Sequence, residues 1–279
     1  MTLVALVLLL ACPARAAEPV KASQSVQDAY DQAFRDYQAG EFRKAINKWS
    51  DILRADPNQA TAKKMIEQAR QATAATIEAK RAKLDAHVAR GRYGAAFLEL
   101  QGLLDLDPSD ALFQRLQDRL DAVSRVVRAA PEGGGRPWRL ALTGLKAFLA
   151  PTPDPRLAQN ALRYALELAP QERRFGELLA LVRAKHPELG EDDVTPGMKL
   201  LEHKHLVSLH HIYDARYHAA VAVLQEILQL EPNDVAAWKK LGTAFYSLGR
   251  KRQARDAWGR ALKLAPNDPS LKEHLSKVQ

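Results

Sequence analysis

Five of the eight histidines, His203, His205, His210, His211 and His218, fall within 16 residues. Imidazole is the side chain best suited to chemistry near neutral pH, because it binds metals, moves protons and changes charge there. A metal ion needs ligands that converge on one point, and on a helix the usual device is an i, i+4 pair. Here His203 and His210 share a face two turns apart, while His205 and His211 point elsewhere. The cluster is therefore expected on a surface or between helices, and no metal or cofactor is expected. The sequence has no phosphate loop, no Gly-x-Gly-x-x-Gly after a strand, no Gly-x-Ser-x-Gly and no His-Glu-x-x-His. Gly133, Gly134 and Gly135 sit in a stretch that reads as linker. No nucleophile, base or metal set emerges, so a non-catalytic protein is expected.

The single cysteine, Cys12, closes the run Leu9-Leu10-Ala11-Cys12, the pattern of a bacterial lipobox. The same region reads as a cleavable signal: residues 3–11 are apolar but too short to span a bilayer, and Ala14-Arg15-Ala16 offers small residues at peptidase spacing. No Lys or Arg precedes the apolar run, which leaves open a start further upstream. Pro13 directly after the cysteine fits lipidation poorly. Cleavage after Ala16 is the preferred reading, giving a periplasmic or secreted protein without cysteine. The alternative is an outer-membrane lipoprotein held at a membrane surface through Cys12.

Charge is the other chemical signal. The chain carries a formal net charge of +8, unevenly spread. Residues 235–279 hold 10 basic and 3 acidic side chains, with Arg250-Lys251-Arg252 at their centre. Such an end favours acidic partners, anionic lipid headgroups or anionic glycans. An exported protein has little access to nucleic acid, and no nucleic-acid partner is expected.

What must position these residues is helical. Ala, Leu, Arg, Lys, Glu and Gln dominate, and these lose little rotamer freedom in a helix. No period-two run rich in Val, Ile and Thr argues for a sheet. The strongest pattern is a recurring helix ending, Leu-x-(Leu/Ala)-x-Pro, with its proline at Pro57, Pro108, Pro170, Pro232 and Pro266. Proline lacks the N–H and clashes with the preceding turn, so each copy marks a helix end and a new start. The intervals are 51, 62, 62 and 34 residues, in the range of helical solenoids.

The last interval carries the most specific set: Trp238, Leu241, Gly242, Phe245, Ala254, Trp258, Ala261 and Pro266. Gly242 and Ala254 let two antiparallel helices approach closely. Ala261 lets the next helix dock, and Trp238, Leu241, Phe245 and Trp258 fill the space between. Gly249 stands where the first helix must turn. This set resembles the signature of the tetratricopeptide repeat. A worn copy precedes it, with Ser208, Ala220, Leu224, Ile227 and Pro232, and Lys204 in place of the large aromatic. Earlier units show Ala33, Gly40, Phe42, Ala45, Trp49 and Pro57, then Gly91, Tyr93, Ala96, Leu100 and Pro108. Ala158, Leu162 and Ala165 form the loosest copy, with Pro151-Thr152-Pro153-Asp154-Pro155 replacing its turn.

The resemblance implies an all-α, right-handed superhelical solenoid of antiparallel helix pairs, here with irregular central units. It also implies a concave groove that binds a partner protein or peptide. By that logic the groove-facing residues are Tyr30, Phe34 and Tyr37 in the first unit, and His205, Leu209, Ile212, Lys239, Thr243 and Tyr246 in the last two. Plain packing against a neighbouring helix remains the alternative for the first three. Some family members clamp a peptide carboxylate with Lys and Asn residues. Lys239 fits one such place but Thr243 stands where Asn belongs, so no clamp is expected.

The expected organisation is a signal segment over 1–16, a helical domain over 17–128, a flexible linker over 129–137, degenerate repeats over 138–196, and a repeat pair with a capping helix over 197–279. An acidic loop with Glu188, Glu191, Asp192 and Asp193 is expected before a helix start at Thr195-Pro196. Between residues 58 and 90 nothing breaks a helix, so one long helix or two abutting ones fit. The function this points to is a non-catalytic interaction scaffold of the bacterial cell envelope. The alternative is a structural envelope protein that binds anionic lipid or glycan through Arg250, Lys251 and Arg252.

Overall fold

The computed structural model describes residues 19–190 and 194–278, with side chains described from Ser25 onward. The expected signal segment over 1–16, with Cys12, and the acidic Glu191, Asp192 and Asp193 lie outside the described residues. Every described element is helical, and no described helix is long and apolar enough to cross a membrane. The all-α class and the build-up from antiparallel helix pairs match the tetratricopeptide-like solenoid that the sequence implies.

The chain forms two compact units that divide between Ala79 and Lys80, inside a helix rather than at the glycine stretch. The first unit contains α1 (Pro19–Gln38), α2 (Phe42–Ala55) and the start of α3 (Ala60–Ala89). Its core is Ala33, Ala45, Trp49, Ile52, Ala62 and Ile66. The second unit holds the rest of α3, then α4 (Tyr93–Leu106), α5 (Ala111–Val126), α6 (Gly135–Leu149), α7 (Pro155–Leu168) and α8 (Arg173–Lys185). It continues through α9 (Leu200–Tyr213), α10 (Tyr217–Leu230), α11 (Val235–Ser247), α12 (Lys251–Leu264) and α13 (Pro269–Ser276). The breaker-free stretch after residue 58 is thus one continuous helix.

The repeated proline does what its chemistry requires. α2, α4, α7, α10 and α12 each end two residues before it, and each C-cap N–H reaches back to the carbonyl four residues earlier. The new helix then needs acceptors for its free N–H groups. Asp110, Asp234 and Asp268 supply them, accepting from Leu112 and Phe113, from Ala237, and from Ser270.

Within a pair, the tight turn closes by one device. Gly40, Gly91 and Gly249 take positive φ of 79°, 68° and 73°, and the next residue's N–H bonds to a carbonyl five residues back. This is the Schellman ending, which suits glycine because it has no Cβ. Between α9 and α10 the same bond runs from Arg216 to the His211 carbonyl at 2.8 Å, but the residue at φ 55° is Ala215.

Close approach is also visible in the irregular centre. A Cβ on Gly144 of α6 would lie 3.0 Å from both the Ala158 carbonyl oxygen and the Ala161 Cβ of α7. Ala158, Leu162 and Ala165, the weakest copy in sequence, are all fully buried there.

Two expectations need correction. The stretch 129–137 is tied down at its start: Ala130 donates to the Gly91 carbonyl and Gly94 to the Arg128 carbonyl, each at 2.9 Å. From Gly135 it is already helix, and Trp138 is buried against Phe175, with the Arg174 guanidinium 4.6 Å above its ring. The helix start expected at Thr195-Pro196 is a turn, with Gly197 at φ 84° and the Met198 N–H bonded to the Thr195 carbonyl. α9 begins at Leu200, where Glu202 accepts from the Lys199 N–H.

Candidate partner-binding face

The C-terminal repeats fix their first helices, α9 and α11, through a packed core and a set of side-chain ties. The core joins Leu224 and Ile227 of α10 to Leu241 and Phe245 of α11, Trp258 of α12 and Leu271 of α13. Gly242 is the contact point. A Cβ there would sit 2.4 Å from the Trp258 indole, whose Nε1 donates to the Lys239 carbonyl at 3.1 Å. Trp238 is only half-buried and donates its indole N–H to the Pro232 carbonyl, bracing the turn before α11. Ala254 and Ala261 are fully buried, and Pro266 is exposed in the final turn.

His205 Nε2 lies 2.8 Å from Asp234 Oδ2, and Lys239 Nζ lies 2.6 Å from Asp268 Oδ2. Both aspartates are the N-caps of the next first helix, so each tie joins one repeat to its successor. In the first unit the Tyr30 hydroxyl donates to Gln59 Oε1 at 3.2 Å, with the same separation of 29 residues. Lys239 holds the Asp268 carboxyl down to about 2, with help from Ser270. At Asp234 burial works upward, but the hydrogen bonds from His205 and the Ala237 N–H outweigh it and lower its pKa. Lys240 donates to the His205 carbonyl at 3.2 Å, and burial pulls its ammonium below the usual lysine range.

The expected groove residues therefore divide. His205 and Lys239 are engaged by neighbouring carboxylates. Leu209 and Ile212 of α9 are half-buried, as is Thr243 of α11, while Tyr246 is 40% exposed. Leu209 and Thr243 are equivalent positions 34 residues apart, as are Ile212 and Tyr246. In the first unit Tyr37 packs on Trp49 and Phe42 with ring centroids 5.9 and 5.5 Å apart, and Tyr30 is half-buried. Phe34 is 45% exposed. Of that aromatic face Phe34 is the most open, its ring 6.3 Å from that of Tyr37.

The histidines go separate ways. His203 sits beside Thr195, with Nδ1 3.2 Å from its hydroxyl, while His210 and His218 are exposed. Among the described residues no group of three or more His, Cys, Asp or Glu side chains is placed to hold a metal. Arg250, Lys251 and Arg252 are exposed at the N-terminus of α12, where the helix dipole is already positive.

Sequence reasoning missed the inter-repeat ties. Their signal was present: an aspartate opens α11 and another opens α13, each 29 residues after its partner. It also left Lys204 unexplained. The structure pairs Lys204 Nζ with Glu226 Oε2 at 2.5 Å, so an ion pair replaces the aromatic of the next repeat.

The tetratricopeptide repeat family model matches residues 208–269. No curated protein matches the chain. Among solved structures, MamA protein is 13% identical, with a TM-score of 0.23 over 87% of this chain and 92% of that one. The TPR2AB domain of yeast Sti1, in a complex with pHSP90, is 14% identical, with a TM-score of 0.29 over 92% and 84%. The TPR domain of P58(IPK) is 14% identical, with a TM-score of 0.30 over 91% and 97%. The matched segment runs from the middle of α9 through α10, α11 and α12 to the start of α13, and takes in the full signature and the proline-marked turns at Pro232 and Pro266, so over these residues the chain carries tetratricopeptide repeats.

Proposed function

We propose that the chain is a non-catalytic scaffold of the bacterial cell envelope that holds a partner protein or peptide on the first-helix face of its C-terminal repeats. The observation that carries this is the strip Leu209, Ile212, Thr243 and Tyr246. These side chains are left partly open on helices whose backbones are locked by the His205–Asp234 and Lys239–Asp268 ties. A rigid helix face with open apolar side chains binds without first paying an ordering cost. The periplasmic or secreted location, and the alternative of lipid anchoring at Cys12, remain part of this proposal.

The test is affinity capture from envelope extract with residues 17–279 as bait, compared with a Leu209→Ala/Tyr246→Ala variant. A discrete partner retained by the parent chain and lost by the variant is the expected result. Equal retention by both would remove the face from consideration.

A second reading rests on one specific observation. Arg250, Lys251 and Arg252 form no ion pair among the described residues and stand at a helix end where cations are unfavourable. On this reading the basic end binds anionic lipid or glycan. Cosedimentation with phosphatidylglycerol vesicles should then fail when all three are replaced by Gln, and unchanged binding removes the reading.

A further inference from the structure

The second unit contains an apolar cavity of about 500 Å³ that none of the foregoing uses. Its walls come from three helices distant in sequence: Leu84 and Val88 from the end of α3, Leu112, Phe113 and Leu116 from the start of α5, and Leu149 from the end of α6. Leu84, Phe113 and Leu149 are buried, and Leu112 at its mouth stays 36% exposed. The volume falls in the range of about 300–1,000 Å³ typical of sites that enclose a small molecule.

The polar groups around this cavity are mostly of one sign. Arg81, Arg119 and Lys146 reach it against a single carboxylate, Asp85. Arg119 is held in place: its guanidinium donates to the Phe148 and Ala150 carbonyls, 2.5 and 3.2 Å away at the C-terminal end of α6. Arg81 and Lys146 are exposed and make no hydrogen bond or ion pair among the described residues. An apolar chamber with two uncommitted cations at its rim calls for a ligand with a hydrocarbon body and one anionic head. An extended peptide fits less well. Its backbone N–H and C=O groups would be desolvated against walls that offer no partners.

We propose that this cavity binds a medium-chain aliphatic carboxylate, with the hydrocarbon between α3 and α5 and the carboxylate against Arg81 and Lys146. The proposal goes beyond the scaffold reading and does not depend on it. Each methylene seated removes apolar surface from water, so binding should tighten by about four-fold per added carbon, the equivalent of about 0.8 kcal/mol.

The test is calorimetric titration of the full chain with octanoate, decanoate and dodecanoate, each kept below its micelle concentration. Dodecyltrimethylammonium serves as the control of opposite charge, and an acidic leucine-rich peptide as the rival ligand. One saturable site is expected, with affinity rising along the series and at least ten-fold weaker binding of the cation. Arg81→Glu/Lys146→Glu and Leu112→Glu should each weaken dodecanoate at least ten-fold. All three positions are exposed, so helicity by circular dichroism should not change. No saturable binding, equal affinity for both amphiphiles, unchanged affinity in folded variants, or binding of the peptide in place of dodecanoate would each overturn the proposal.

Discussion

Ala215 holds a backbone angle that its three counterparts assign to glycine. At φ 55° its Cβ crowds the neighbouring carbonyl, at a cost of roughly 1–2 kcal/mol that glycine escapes. Glycine loses part of that gain through its freer unfolded chain. Ala215→Gly should therefore raise stability by about 0.5–1 kcal/mol, seen as a higher urea midpoint at unchanged slope. Gly242 is the opposite case. The Trp258 indole occupies the place of a Cβ, so Gly242→Ala should destabilise by about 1–3 kcal/mol through overpacking. Tyr93 is fully buried, and its hydroxyl has no hydrogen-bond partner among the described residues. Burial pushes its pKa far up, so it stays neutral. Tyr93→Phe removes an unsatisfied polar atom while keeping the ring, and should stabilise by about 1 kcal/mol in the same assay. Gly242 was legible from its place in the repeat signature. Ala215 was not, because alanine carries no mark of left-handed backbone.

At the scale of the helix, ends were more legible than beginnings. A proline forbids continuation whatever surrounds it, so the five endings could be placed to the residue. Starts depend on which nearby side chain supplies an acceptor, and the start expected at Thr195-Pro196 fails because Gly197 turns the chain there and Glu202 caps a helix that begins at Leu200. The aspartate caps also carry a pH dependence. Folding takes the Asp268 carboxyl from its ordinary 3.8 to about 2, so the folded chain holds fewer protons between those values. Its contribution to stability is complete above about pH 4 and is lost as the pH falls through about 2. Thermal unfolding across this window should show a slope that Asp268→Asn reduces; an identical slope in the variant would show that the Lys239 tie contributes nothing.

On the scale of the whole chain, repeats couple mainly to their neighbours. Leu271 and Val278 are buried in the same core as Leu241 and Phe245 of α11 and Trp258 of α12. Leu271→Ala should therefore speed amide hydrogen exchange in α11 and α12 while leaving α1 and α2 unchanged. Loss of protection throughout would instead mean that the chain unfolds as one cooperative body. The fold class was readable at this scale because local periodicity repeats. The cavity was not, since Leu84, Leu112 and Leu149 lie far apart in sequence and none belongs to the repeat signature.

The ties between repeats give the array a direction, like a row of plugs and sockets. Residues 234–267 begin with the acidic socket Asp234 and carry, in Lys239, the plug for the socket that follows. A second copy of these 34 residues placed before Asp268 would find Lys239 waiting for its own Asp234, and would offer its own lysine to Asp268. Both junctions would close with the same chemistry as the native ones. The stretch 234–267 is therefore built so that its duplication lengthens the array without leaving a mismatched seam.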